Sequence, residues 1–135
     1  MSQENVEIVS AMLDIWNTRG IFETLDSFDP DVELVDLQAV IGMQDRGRGP
    51  DELHRMTEQW TEIFDDWGLE VCDVVDLGDD YVMAEVRFDG VGRDSGAPVS
   101  IRQFEVYRLL DRKIVEIRVG FRDRAEALDW SRRPD

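Results

Sequence analysis

The sequence predicts an α+β fold with helices first and a curled antiparallel sheet second. Three observations predict it. Apolar residues recur at three- and four-residue steps through Val6, Val9, Met12/Leu13 and Trp16, and again through Leu53, Met56, Trp60 and Ile63/Phe64. Beyond Gly68 the apolar residues alternate with a period of two. The runs are joined by turn chemistry at Gly78-Asp79-Asp80, around Gly90 to Gly96, and at Asp111-Arg112-Lys113.

Taken in order, the first helix starts near Ser2 as N-cap and ends at Arg19 and Gly20, a cation followed by a permissive residue. A shorter helical pattern runs through Ile21, Phe22, Leu25 and Phe28 and is stopped by Asp29-Pro30. The segment Asp31 to Leu37 reads as a strand with Val32, Leu34 and Asp36 on one side. Residues 38–49 read as a loop, and Pro50, Asp51 and Glu52 suit the first turn of the next helix. Its apolar face is expected to run on to Trp67, with Gly68 closing it.

Strands are expected at about 69–76, 80–90, 98–110 and 113–122. The glycines around 90–96 miss the spacing of a phosphate cradle and read as a long hairpin end. A final helix opens at Asp123-Arg124-Ala125-Glu126 with a carboxylate capping box and packs through Leu128 and Trp130. The sets Val82/Ala84/Val86/Phe88, Arg102/Phe104/Val106 and Val115/Ile117/Val119/Phe121 are expected to cover the helices. The opposite sets, Glu85/Arg87, Gln103/Glu105/Tyr107 and Glu116/Arg118, are expected to face solvent or another subunit.

At 135 residues the chain is expected to form one domain, 1–135, large enough for a real core. Its 31 acidic against 15 basic residues give a net charge of −16, which disfavours nucleic acid and anionic membranes as partners. One cysteine, Cys72, allows no internal disulfide, and acids flank it rather than the cations a reactive thiol needs. No stretch near the N-terminus resembles a signal peptide, so a cytoplasmic location is expected. One histidine, His54, and scattered acids give no metal-ligand spacing; no metal and no cofactor is expected.

Asp36 is the sharpest candidate for chemistry. A carboxylate on a strand face among hydrocarbon is either paired and structural or shifted in pKa and chemically useful. Arg102, in an apolar series, needs a carboxylate partner, and Asp36 is the nearest inward one the pattern offers. Trp16, Met56, Trp60, Phe64, Phe104, Ile117, Val119 and Phe121 are the expected wall of an apolar substrate pocket.

The order of these pieces resembles the SnoaL-like branch of the nuclear transport factor 2-like superfamily, which includes ketosteroid isomerases and polyketide cyclases. The resemblance is carried by the helix Val6 to Trp16, the run Arg46-Gly47-Arg48-Gly49-Pro50-Asp51-Glu52-Leu53, and Val75-Asp76-Leu77-Gly78-Asp79-Asp80. Ser95-Gly96, Arg112-Lys113-Ile114-Val115-Glu116 and the ending Phe121 to Leu128 complete it. It implies a cone, in which a strongly curved sheet wraps the N-terminal helices and leaves an apolar cavity. It also implies a homodimer through the outer sheet face, here Gln103, Glu105, Tyr107 and Arg118.

The resemblance places Asp36 at the catalytic-base position of ketosteroid isomerases. Leu13 falls near the position of their oxyanion tyrosine, and Arg102 near that of their protonated acid. The implied function is a cofactor-independent isomerase or cyclase acting on a hydrophobic, carbonyl-bearing small molecule, with Asp36 as general base and Arg102 as the electrophilic or anchoring group. Two alternatives fit the same sequence: a small-ligand-binding protein without turnover, and a structural dimer of the same fold.

Overall fold

The computed structural model describes residues 2–19, 26–38 and 44–132. The element order is α1 (Ser2–Arg19), β1 (Phe28–Asp36), β2 (Arg46–Arg48), α2 (Pro50–Ile63), β3 (Phe64–Gly78), β4 (Tyr81–Gly92), β5 (Pro98–Leu110), β6 (Lys113–Phe121) and α3 (Arg124–Ser131). The strands form one six-stranded sheet in the order β2-β1-β6-β5-β4-β3. Only β1 and β6 run parallel; the other neighbours are antiparallel. This is the α+β cone expected from the sequence, a curved sheet left unclosed around helices. None of the described helices is long and apolar enough to cross a membrane.

The sheet buries both faces. On the inner face Val82, Ala84, Val86, Tyr107, Leu109, Ile114 and Ile117 meet Val9, Met12 and Leu13 of α1 and Leu53 and Met56 of α2. On the outer face Tyr81, Met83, Phe104, Val106 and Phe121 are covered by Ala127 and Trp130 of α3. Asp123 caps that helix by accepting the Glu126 backbone N–H at 2.9 Å.

The two-sided burial corrects the expected sidedness of β5. Arg102, Phe104 and Val106 turn outward, whereas Gln103, Glu105 and Tyr107 turn inward. The pairing fixes this: Glu105 lies opposite Ala84 and Tyr107 opposite Val82, and cross-strand partners share a face. Both alternations of β5 are partly apolar, and α3 claims the Phe104/Val106 set. Glu105 and Tyr107 are therefore buried and unavailable to the expected subunit interface.

Three irregularities explain the other differences. The helical spacing through Phe64 and Trp67 belongs to β3, not to the helix, which stops at Ile63. A bulge between Asp65 and Gly68, with Asp66 at φ 51°, keeps Phe64 and Trp67 on one side despite their odd separation. In β6, Val106 pairs with Arg118 but Phe104 pairs with Phe121, so one extra residue around Gly120 swings Phe121 to the outer face. Phe28 and Pro30 belong to β1, where a register shift between Phe28 and Glu33 accommodates a residue without an N–H. Ile21, Phe22 and Leu25, the rest of the expected short helix, lie outside the described residues.

Gly120 has φ 95°, and a Cβ there would meet Gln38 Cγ at 2.7 Å and the Gln38 backbone nitrogen at 3.0 Å. Gly120→Ala is expected to cost roughly 2–3 kcal/mol, since backbone strain and a steric clash add. Gly96→Ala, at φ 69° but facing open space, is expected to cost about 1 kcal/mol. Urea unfolding of both variants checks the order; equal losses would contradict it.

Candidate functional site

The helices and the inner sheet face enclose a cavity of about 290 Å³. Trp16 of α1 and Met56, Trp60 and Ile63 of α2 form one side. Phe64, Trp67 and Leu69 of β3 and Phe88 of β4 form a second. Leu34, Asp36 and Gln38 at the end of β1, Ile101, Gln103 and Glu105 of β5, Val119 of β6 and Thr57 of α2 complete it. The cavity is thus aromatic toward α2 and β3 and acidic where β1 and β5 contribute.

Asp36 is the last residue of β1. Its backbone N–H donates to the Asp45 carbonyl at 2.8 Å, and the following Leu37 N–H donates to the Val119 carbonyl at 2.9 Å. Its Oδ1 accepts the Gln38 backbone N–H at 2.9 Å, and the Gln38 side-chain amide donates to the Gly120 carbonyl at 2.8 Å. The β6 bulge and the end of β1 therefore hold one another, and the carboxylate is fixed with them. Burial raises its pKa above the ordinary 3.8; the Gln38 N–H opposes that by stabilising the anion, and the Asp45 charge adds to it.

Glu105 is the residue the sequence reading missed. It is 3% exposed, against 6% for Asp36. Burial pushes its pKa up to about 7; the Tyr107 and Gln103 hydrogen bonds oppose this, and the charge of Asp36 reinforces it. The buried Tyr107 hydroxyl donates to Glu105 Oε1 at 2.5 Å. Tyr107 itself is pushed well above its ordinary 10, by burial and then by the neighbouring carboxylate. The signal that finds Glu105 is the Tyr107/Leu109 alternation, which is as apolar as its rival and puts Glu105 on the core side.

Of the expected pocket residues, Trp16, Met56, Trp60, Phe64 and Val119 line the cavity. Ile117 lies in the inner core, and Phe104 and Phe121 pack on the outer face under α3. Arg102 also points outward. Its guanidinium is largely exposed and meets Glu85 at 3.4 Å, which Arg124 meets as well. The expected Asp36–Arg102 pair does not form, because the two residues stand on opposite faces of the sheet. His54 pairs with Glu58 along α2 at 2.8 Å, and Cys72 is exposed.

The SnoaL-like domain family matches residues 9–117, and the chain belongs to that family. Among solved structures, an NTF2-like protein of unknown function from Burkholderia pseudomallei superposes with a TM-score of 0.77 at 16% identity, covering 93% of this chain and 95% of that one. A candidate SnoaL-like polyketide cyclase from Jannaschia sp. CCS1 gives a TM-score of 0.75 at 19% identity over 98% and 95% of the two chains. A candidate isomerase from Bacillus subtilis gives 0.70 at 17% identity over 87% and 85%. These superpositions establish a shared fold. No curated protein matches the chain in sequence.

The burial of Glu105 links protonation to stability. Its folded pKa of about 7 lies above its ordinary 4.5. The folded state therefore retains a proton that the unfolded chain releases, and this contribution is complete below about pH 4.5 and lost as pH rises through 7. Glu105→Gln keeps an oxygen acceptor for Tyr107 and has no proton to lose. Between pH 4.5 and 8 its stability relative to the parent is expected to improve by about 3 kcal/mol. Urea unfolding across that range tests this, and parallel stability curves would contradict it.

Proposed function

We propose that the protein is a cofactor-independent enzyme that moves a proton on a hydrophobic, carbonyl-bearing small molecule, as an isomerase or cyclase. The observation that carries this reading is the pair of carboxyl groups, Asp36 and Glu105, facing one apolar cavity in unequal environments. Two coupled acids of unequal burial resolve into one ionised and one protonated group. Asp36, whose anion is held by the Gln38 N–H, is the ionised one. Glu105, more deeply buried, is the protonated one.

In this mechanism Asp36 removes a proton from the carbon next to a carbonyl. Charge moves to the carbonyl oxygen, where the Glu105 O–H donates a hydrogen bond while its other oxygen accepts from Tyr107. The proton on Asp36 then returns to a different carbon, giving an isomer, or to the product of ring closure. The aromatic wall excludes water and orients the flat part of the substrate. Arg102, on the opposite sheet face, takes no part. Glu105 assumes the electrophilic role expected of it.

Activity requires Asp36 ionised and Glu105 protonated, so the rate is expected to fall as pH rises through about 7 and to fall again in acid. The test is deuterium exchange next to the carbonyl in a panel of aromatic and cyclic ketones, followed by proton NMR. Asp36→Asn is expected to reduce exchange by at least about 100-fold, and Glu105→Gln to abolish the alkaline decline. Exchange that survives Asp36→Asn would overturn the reading. Saturable ketone binding without exchange would instead favour a binding protein of the same fold.

A further inference from the structure

The charge of the cavity restricts what it can hold. Its polar lining is the Asp36 and Glu105 carboxyl groups, the Gln38 and Gln103 amides, the Thr57 hydroxyl and the Trp16 indole N–H, and among the described residues no Arg, Lys or His reaches it. The charges acting on the pair are themselves acidic: Asp45 on Asp36, and Asp36 on Glu105. Nothing in this wall compensates an organic anion, and a carboxylate ligand would bring further negative charge into a desolvated space.

The aromatic lining favours positive charge for a separate reason. Trp60, Phe64, Trp67 and Phe88 pack as one aromatic surface, with ring centroids 5.6 Å apart for Trp60 and Phe64, 5.2 Å for Trp60 and Phe88, and 5.8 Å for Trp67 and Phe88. Aromatic faces carry negative potential and attract alkylammonium groups, most strongly when water is excluded. Trp16 adds an indole from α1. Rings and carboxyl groups thus act on the same side of the charge balance.

We propose that the cavity selects organic cations: its ligand carries an alkylammonium group held between the aromatic wall and the Asp36/Glu105 pair, and organic anions are rejected. This goes beyond the reading above and rests on the same cavity being the ligand site: a cation seated on the pair favours its doubly ionised state and so excludes the proton transfer that needs Glu105 protonated. A bound cation favours ionisation of the pair. Raising the pH through the titration of Glu105 therefore strengthens binding even where the probe itself does not titrate.

The test compares phenyltrimethylammonium, its neutral isostere tert-butylbenzene, and benzoate, each titrated into the full chain and followed by the indole N–H signals in NMR. At pH 8 the cation is expected to bind at least about tenfold more tightly than the isostere, with no saturation by benzoate. Lowering the pH to 5.5 should weaken the cation several-fold and leave tert-butylbenzene unchanged. The Asp36→Asn/Glu105→Gln double variant should lose the cation's advantage while still taking up tert-butylbenzene. The proposal is overturned if the isostere or benzoate binds as well as the cation, or if the cation fails to saturate at millimolar concentration. It is equally overturned if the advantage survives at pH 5.5 or in a double variant that still binds tert-butylbenzene. Because binding is read and not turnover, failure here leaves the deuterium-exchange test of proton transfer standing, and failure there leaves this one standing.

Discussion

The centre of this molecule depends on which face of β5 turns inward. Two alternations compete along that strand, and each carries apolar side chains. Packing of α3 over Phe104, Val106 and Phe121 commits one set to the outer face, and the β4 register commits Glu105 and Tyr107 to the inner one. A glutamate thereby enters a space already holding Asp36. Burial raises the pKa of both groups, the charge of Asp36 raises that of Glu105 further, and the Gln38 N–H favours the Asp36 anion. The same arrangement sends Arg102 to the surface, where Glu85 is its partner.

The positioning of the pair is mechanical as well as electrostatic. Asp36 is anchored through Gln38 to the bulge at Gly120, and Glu105 through Tyr107 to the core under α1. Neither carboxyl group hangs from a flexible loop. A ligand in the cavity therefore meets groups whose orientation was set on folding, which is what electrostatic preorganisation requires. The arrangement also has a cost: as pH rises through about 7 the folded protein must hold a charge on the buried Glu105. Groups retained against that cost are reasonable places to look for function.

Much of the fold was legible in the residues. The amphipathic spacing of Val9, Met12, Leu13 and Trp16, the Pro50-Asp51-Glu52 helix start, the Asp123 cap and the three hairpin turns all specify local structure directly. The family resemblance then arranged those pieces as a cone. Asp36 was legible because the rival alternation of its strand opens on Asp31 and Glu33 before reaching Val35 and Leu37. Glu105 was not, because β5 has two, and only the weak outer helix decides between them. Phe121 and Trp67 were misplaced for a related reason: a single-residue bulge inverts every side chain beyond it, and period-two reasoning has no way to see one. The Ile63/Phe64 boundary failed because a bulged strand can imitate helical spacing.

The family is established, and solved structures named as a candidate cyclase and a candidate isomerase share this fold. The cavity of this chain has aromatic rings on one wall, two acids on another, and no basic side chain among the described lining residues. The most direct measurement of that account is a carbon-13 NMR titration of the side-chain carboxyl groups of Asp36 and Glu105. The account predicts that Glu105 titrates near 7, that Asp36 titrates above its ordinary 3.8, and that Asp36→Asn lowers the Glu105 midpoint. Both groups titrating at ordinary carboxyl values, with no response of Glu105 to Asp36→Asn, would contradict it.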